Sequence, residues 1–172
     1  MTRTLLLLSC LLFVPTHLRA AELAKDGATD WKIVLPDEPT IVEKTAAREL
    51  SEHLKLVTGA DFQTLFEKDI PTDGKSLIFV GNTAQAPKKK YEFDEILIQM
   101  NDGRLVLAGH EKRGCLYAVY SFLQDVVGVR WWTAEDTFLP EKPTLVVEND
   151  LELSYAPQLI SREMYHRNAQ PK

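Results

Sequence analysis

The chain has 172 residues, 45% of them hydrophobic and 26% charged, and a formal net charge of −5. That length holds one domain with a substantial core but not two ordinary ones, and the balance is globular rather than disordered. A mildly acidic chain without a basic stripe excludes binding driven by phosphate neutralisation, so nucleic acid is not an expected partner.

The first twenty residues read as an export signal. Arg3 supplies a positive charge, Leu5 to Val14 a short apolar core, and Leu18-Arg19-Ala20 ends in a small residue suited to cleavage. The apolar run is too short to span a bilayer. Ser9-Cys10 leaves open a lipoprotein anchored at Cys10, although cleavage there leaves almost no apolar segment ahead of it. Cleavage after Ala20 removes Arg3 and Arg19 and no acidic residue, which takes the charge from −5 to −7. The expected location is periplasmic or extracellular, with no transmembrane span in the mature chain. The same cut leaves Cys115 as the sole cysteine, so no internal disulfide is expected.

Residues 21–30 read as a polar leader. Trp31 to Leu35 predicts a first strand, stopped by Pro36 and the turn Asp37-Glu38-Pro39. Thr40-Ile41-Val42-Glu43 is a capping box, in which the Thr40 hydroxyl meets the Glu43 amide and Glu43 reaches back. Behind it Val42, Ala46, Leu50, Leu54 and Val57 recur at helical spacing, Glu43, Lys44, Arg48, Glu49, Glu52 and Lys55 take the other face, and Gly59 closes the helix. Phe62 to Phe66 suits an edge strand. Leu77 to Val80 is an apolar run closed by Gly81-Asn82, the pattern of a strand covered on both faces. The run Lys88-Lys89-Lys90 after Ala86-Pro87 reads as a solvated loop. Glu95 to Met100 and Arg104 to Ala108 flank Asn101-Asp102-Gly103, a hairpin turn that needs positive backbone angles. Leu116, Val119, Tyr120, Leu123 and Val127 line one face of a second helix that Gly128 stops, and Val129 to Trp132 returns extended. Thr144 to Val147 is one more short strand, and Leu151 to Pro157 a connector. Leu159 to Arg167 reads as a new element that the chain does not complete. The order predicts an α/β two-layer sandwich, a mixed sheet with two helices packed on it.

Chemistry is sparse in this pattern. Glycoside cleavage normally needs two carboxylates across one bond, and Glu111, Glu135 and Asp136 lie at turns where carboxylates are usually just solvated. His53, His110 and His166 are scattered without metal-ligand spacing, and no G-x-S-x-G elbow is present. Gly109 to Gly114 precedes a helix but lacks the Lys-Ser/Thr of a phosphate loop, so its glycines read as close-packing positions. Cys115 reads as a buried small hydrophobe. Neither a catalytic residue, a metal site nor a cofactor is expected. Three residues stand out at the two ends of the second helix. Arg113 is a cation at a helix N-terminus, where it opposes the dipole and asks for a carboxylate or a partner. Trp131 and Trp132 point to opposite faces of an extended piece, so one joins the core and the other meets an interface, a sugar or water.

The capped helix TIVEKTAARELSEHLKLVTG, the strand SLIFVG, the hairpin EILIQMNDGRLVLAG and the helix RGCLYAVYSFLQDVVGVRWW occur in this order. Together they resemble the small α/β domain that precedes the catalytic barrel in bacterial α-glucuronidases and β-hexosaminidases, where it is the second domain. They are closer still to large secreted bacterial proteins of that build whose activity is uncharacterised. Arg113-Gly114, Tyr117-Ala118-Val119 and Phe122-Leu123 correspond to the Arg-Gly helix and the Tyr-Ala/Gly-Val motif of those families. The resemblance spans 31–132 well and 157–168 loosely. Behind the signal peptide (1–20) and the leader (21–30), it implies an accessory domain (31–150) and a connector leading into a missing (β/α)₈ barrel (151–172). It implies a downstream catalytic barrel as partner, with polysaccharide or oligosaccharide as the wider context. Arg162, Tyr165 and His166 then fall near substrate, at the end of the first barrel strand. A free-standing carbohydrate-binding module and a small envelope interaction domain remain the alternatives.

Overall fold

The computed structural model describes residues 20–72 and 74–159. Its centre is a six-stranded mixed sheet. Strands β2 (Lys32–Leu35), β3 (Thr64–Phe66), β4 (Leu77–Val80) and β6 (Arg104–Gly109) run parallel, in the order β6-β4-β2-β3. β5 (Ile96–Asn101) pairs antiparallel with β6, and β10 (Glu152–Tyr155) pairs antiparallel with β5 as the far edge. Two helices cover one face, which is the expected two-layer α/β arrangement.

Local chemistry explains the two helices. The first, α1 (Ile41–Thr58), starts at the capping box: the Glu43 amide donates to Thr40 Oγ1 at 3.2 Å and the Thr40 amide donates to Glu43 Oε2 at 2.8 Å. It ends at Gly59, in the left-handed region at φ 80°. The second, α2 (Gly114–Ser121), widens into a π-helical turn over Phe122–Val127. Gly128, at φ 99°, donates its amide to the Leu123 carbonyl five residues back and closes it. The hairpin turn places Asp102 and Gly103 at φ 48° and 72°, as Asp-Gly demands.

The strands alternate cleanly between two cores. Ile33, Leu35, Ile78, Val80, Leu105 and Leu107 face the helices and meet Leu50, Leu54, Val119 and Phe122. Val34, Leu77, Phe79, Val106 and Ala108 face the rear, where Ala86 and Tyr91 of the loop after β4 lie over them. All four residues of β4 are therefore buried, as expected of a strand covered on both faces.

Besides the two-residue strand Thr137–Phe138, two strands were not legible in the sequence. Ala20–Ala24, inside the expected signal and leader, forms β1 and pairs antiparallel with β9 (Leu145–Glu148) in a separate ribbon. That ribbon packs Leu23, Ala24, Leu145 and Val147 onto the helix-side core. Glu152–Tyr155, inside the expected connector, is β10. Both strands depend on distant pairing partners that local composition does not reveal.

Candidate functional site

The two ends of α2 hold the residues that the sequence singles out. At its N-terminal end Arg113 meets the carboxylate that its position asks for. The Arg113 guanidinium donates to Asp94 through Nε (3.0 Å) and Nη2 (2.8 Å), a bidentate pair. The Asp94 side chain is fully buried while that of Arg113 is 48% exposed. The guanidinium also lies against the Phe93 and Tyr117 rings, at 5.1 and 5.6 Å. Behind this clamp Gly109 and Gly114 touch. A Cβ on either would strike the Glu95 carbonyl oxygen and the backbone carbon of the other glycine, at 2.7–2.8 Å. The loop between them is not a phosphate cradle. The His110 amide donates to Glu95 O and the Gly114 amide to His110 O, so its turn is closed on itself.

At the C-terminal end the chain forms a small ribbon of β7 (Arg130–Trp131) and β8 (Thr137–Phe138). The two tryptophans part as their alternation requires. Trp131 is half-buried, edge-on to His53 (5.5 Å) on α1 and to Tyr120 (5.3 Å) on α2. Trp132 is 66% exposed. Arg130 pairs with Phe138 across the ribbon, so Trp132 and Phe138 lie diagonally on its outer face, and Phe138 is 52% exposed. The Arg130 guanidinium turns back onto the carbonyls of Gln124 and Val129 at the end of the π-turn.

The structure commits its buried acids to holding the chain together. Glu43, which sequence periodicity places on the solvent face of α1, is buried instead. It accepts from the Thr40 amide and hydroxyl and, at 2.7 Å, from the Asn82 amide just past β4. Glu95 is also buried. Burial opposes its ionisation, but the Lys89 ammonium and the Glu92 amide outweigh that and hold the carboxyl below its usual range. Tyr120 donates to Glu49, and burial followed by the Glu49 charge pushes its hydroxyl up. Cys115 is buried, and burial followed by the Glu43 charge pushes its thiol up, away from nucleophilic use. His53 donates Nδ1 to the Glu49 carbonyl at 2.8 Å and packs on Trp131. Glu111, Glu135 and Asp136 are exposed. Among the described residues no group of acids, histidines and cysteines has metal-site geometry, and no helix is long and apolar enough to cross a membrane. Arg162, Tyr165, His166 and Cys10 lie outside the described residues.

No family model matches this chain, and no curated protein sequence matches it. Solved structures do. A family GH115 4-O-methyl-α-glucuronidase, described as specific for decorated arabinogalactans, superposes over 80% of this chain with a TM-score of 0.58 at 19% identity. A GH138 enzyme targeting pectin rhamnogalacturonan II covers 76% at a TM-score of 0.45 and 16% identity, a likeness too slight to carry weight. The chain spans only 18% and 12% of these two proteins. Its fold is thus one that recurs as a small part of a much longer glycoside hydrolase.

Proposed function

We propose that this chain is the non-catalytic N-terminal accessory domain of a secreted glycoside-hydrolase-type protein, and that it braces a downstream catalytic barrel. The observation that carries this reading is the fold: four fifths of the chain matches less than one fifth of a glycoside hydrolase. The disposition of acids supports it, because Glu43, Asp94 and Glu95 are held by backbone amides, an arginine and a lysine rather than aimed in a pair at a cleft. The outer face of the β7–β8 ribbon, with Trp132 and Phe138, is the kind of aromatic surface that anchors an interface.

The same surface favours one second reading, a carbohydrate-binding module, since aromatic faces also stack on sugar rings. Affinity electrophoresis through soluble xylan, arabinogalactan and pectin separates the two. The accessory-domain reading expects unretarded migration of both the wild type and Trp132→Ala. Retardation of the wild type that Trp132→Ala abolishes would establish the module instead.

A further inference from the structure

The pair Asp-Gly occurs three times in this chain, at Asp26-Gly27, Asp73-Gly74 and Asp102-Gly103. Such a pair is open to a reaction that needs no enzyme. The glycine amide nitrogen attacks the carboxyl carbon of the aspartate before it, because glycine has no side chain to bar the approach. In a folded chain the outcome depends on how firmly the turn holds that nitrogen.

Two of these turns share a backbone conformation and differ in their tethers. Asp26 and Gly27 stand at φ 48° and 78°, and Asp102 and Gly103 at φ 48° and 72°. Both aspartates therefore sit in the left-handed region that a side chain disfavours. The first turn is tied down. The Gly27 amide donates to the Pro143 carbonyl at 2.9 Å and the Asp26 amide to Thr144 Oγ1 at 3.2 Å, while Lys25 and Ala28 exchange both backbone bonds across it. The Gly74 amide is engaged as well, donating to the Pro71 carbonyl at 2.9 Å. The tip of the β5–β6 hairpin is different. Asp102 and Gly103 are exposed, and among the described residues neither the Asp102 carboxylate nor the Gly103 amide makes a hydrogen bond. A Cβ on Gly103 would meet nothing within 4 Å. The turn is closed only by the Asn101–Arg104 pair, the last rung of its ladder.

We propose that Asp102 is a modification site, where the aspartyl peptide rearranges to isoaspartate ahead of the other two Asp-Gly pairs. The Gly103 nitrogen bonds to Cγ of the protonated Asp102 carboxyl. The carboxyl hydroxyl leaves with the amide proton as water, and a five-membered succinimide forms. Water then adds to one of its two carbonyl carbons. Opening at the backbone carbonyl carries the chain onward through the side-chain carboxyl, and opening at Cγ restores aspartate. Water is the only reagent. The rearranged turn has one more methylene in its backbone, which loosens the Asn101–Arg104 rung. The site is independent of the bracing role, since it needs neither Trp132 nor a second domain.

The test holds the full chain at about pH 5, where part of the carboxyl is protonated, both folded and unfolded in urea. Incubation continues until the unfolded sample is modified. Peptide mapping with electron-transfer fragmentation then tells isoaspartate from aspartate at each position. The unfolded chain should react at similar rates at all three pairs. In the folded chain Asp102 should lead Asp26 by at least about tenfold, because two more hydrogen bonds must break first at Asp26. Equal rates at Asp26 and Asp102 in the folded chain, modification of Asp73 ahead of Asp102, or an Asp102 that stays unmodified on folding would overturn the proposal.

Discussion

The two ends of α2 carry the conspicuous residues of this chain, and they are built in opposite ways. At the N-terminal end the interesting groups answer one another. Asp94 meets Arg113, Gly109 meets Gly114, and the rings of Phe93 and Tyr117 meet the guanidinium. At the C-terminal end only half is answered. Trp131 is braced by both helices, while Trp132 and Phe138 face outward. The difference teaches that an unusual residue is a weak pointer to function until its partners are counted. Arg113, interesting as an unpaired cation, belongs to the scaffold. Trp132 keeps its standing as a surface anchor.

The comparison can be broken by mutation, and the sharpest cut is at Gly114. Alanine is favoured over glycine inside a helix by about 1 kcal/mol. Here the added methyl meets backbone atoms of Glu95 and Gly109, which cannot swing aside as a side chain can. Strain should win, and Gly114→Ala should lose about 3 kcal/mol in urea unfolding. A neutral or stabilised variant would show that the two glycines are not in contact. Trp131→Ala comes next. The ring is only half-buried, so the expected loss is about 2 kcal/mol, below that of a fully buried aromatic.

Smaller effects test the polar groups. Arg113→Met leaves the buried Asp94 without its bidentate partner, and should lower Tm more than Lys112→Met next to it. Equal losses would make the clamp irrelevant to stability. The Glu95 carboxyl is held below its usual range, so its contribution is fully present above the unfolded value of about 4.3 and is lost as pH falls through the lower folded value. Glu95→Gln should therefore be less stable at neutral pH and should lose less stability on acidification below about pH 4.3. Parallel pH curves for wild type and variant would contradict the Lys89–Glu95 bond. The smallest effect belongs to Trp132→Ala, which should change stability by no more than about 0.5 kcal/mol, because an exposed ring holds nothing in the isolated domain.

Much of the fold was legible because its signals are local. The capping box at Thr40, the Asp-Gly turn at Asp102 and the stops at Gly59 and Gly128 are each complete within a few residues. β1 and β10 were not legible, because AAELA and ELSY become strands only by pairing with Leu145–Glu148 and β5. Glu43 misled for a related reason. Helical spacing places it outside, yet Gly81, which has no side chain, lets the carboxylate reach the end of β4. The parting of the two tryptophans followed from strand alternation, but which one turned inward depended on His53 and Tyr120, on two separate helices.

The central claim is that this domain is part of a longer glycoside-hydrolase-type protein. The most direct measurement is the mass of the native gene product in its source cells, detected with an antibody raised to residues 31–150. The account predicts a product several times larger than this chain. A product near the 19.5 kDa of this chain, or slightly smaller after signal cleavage, would contradict it.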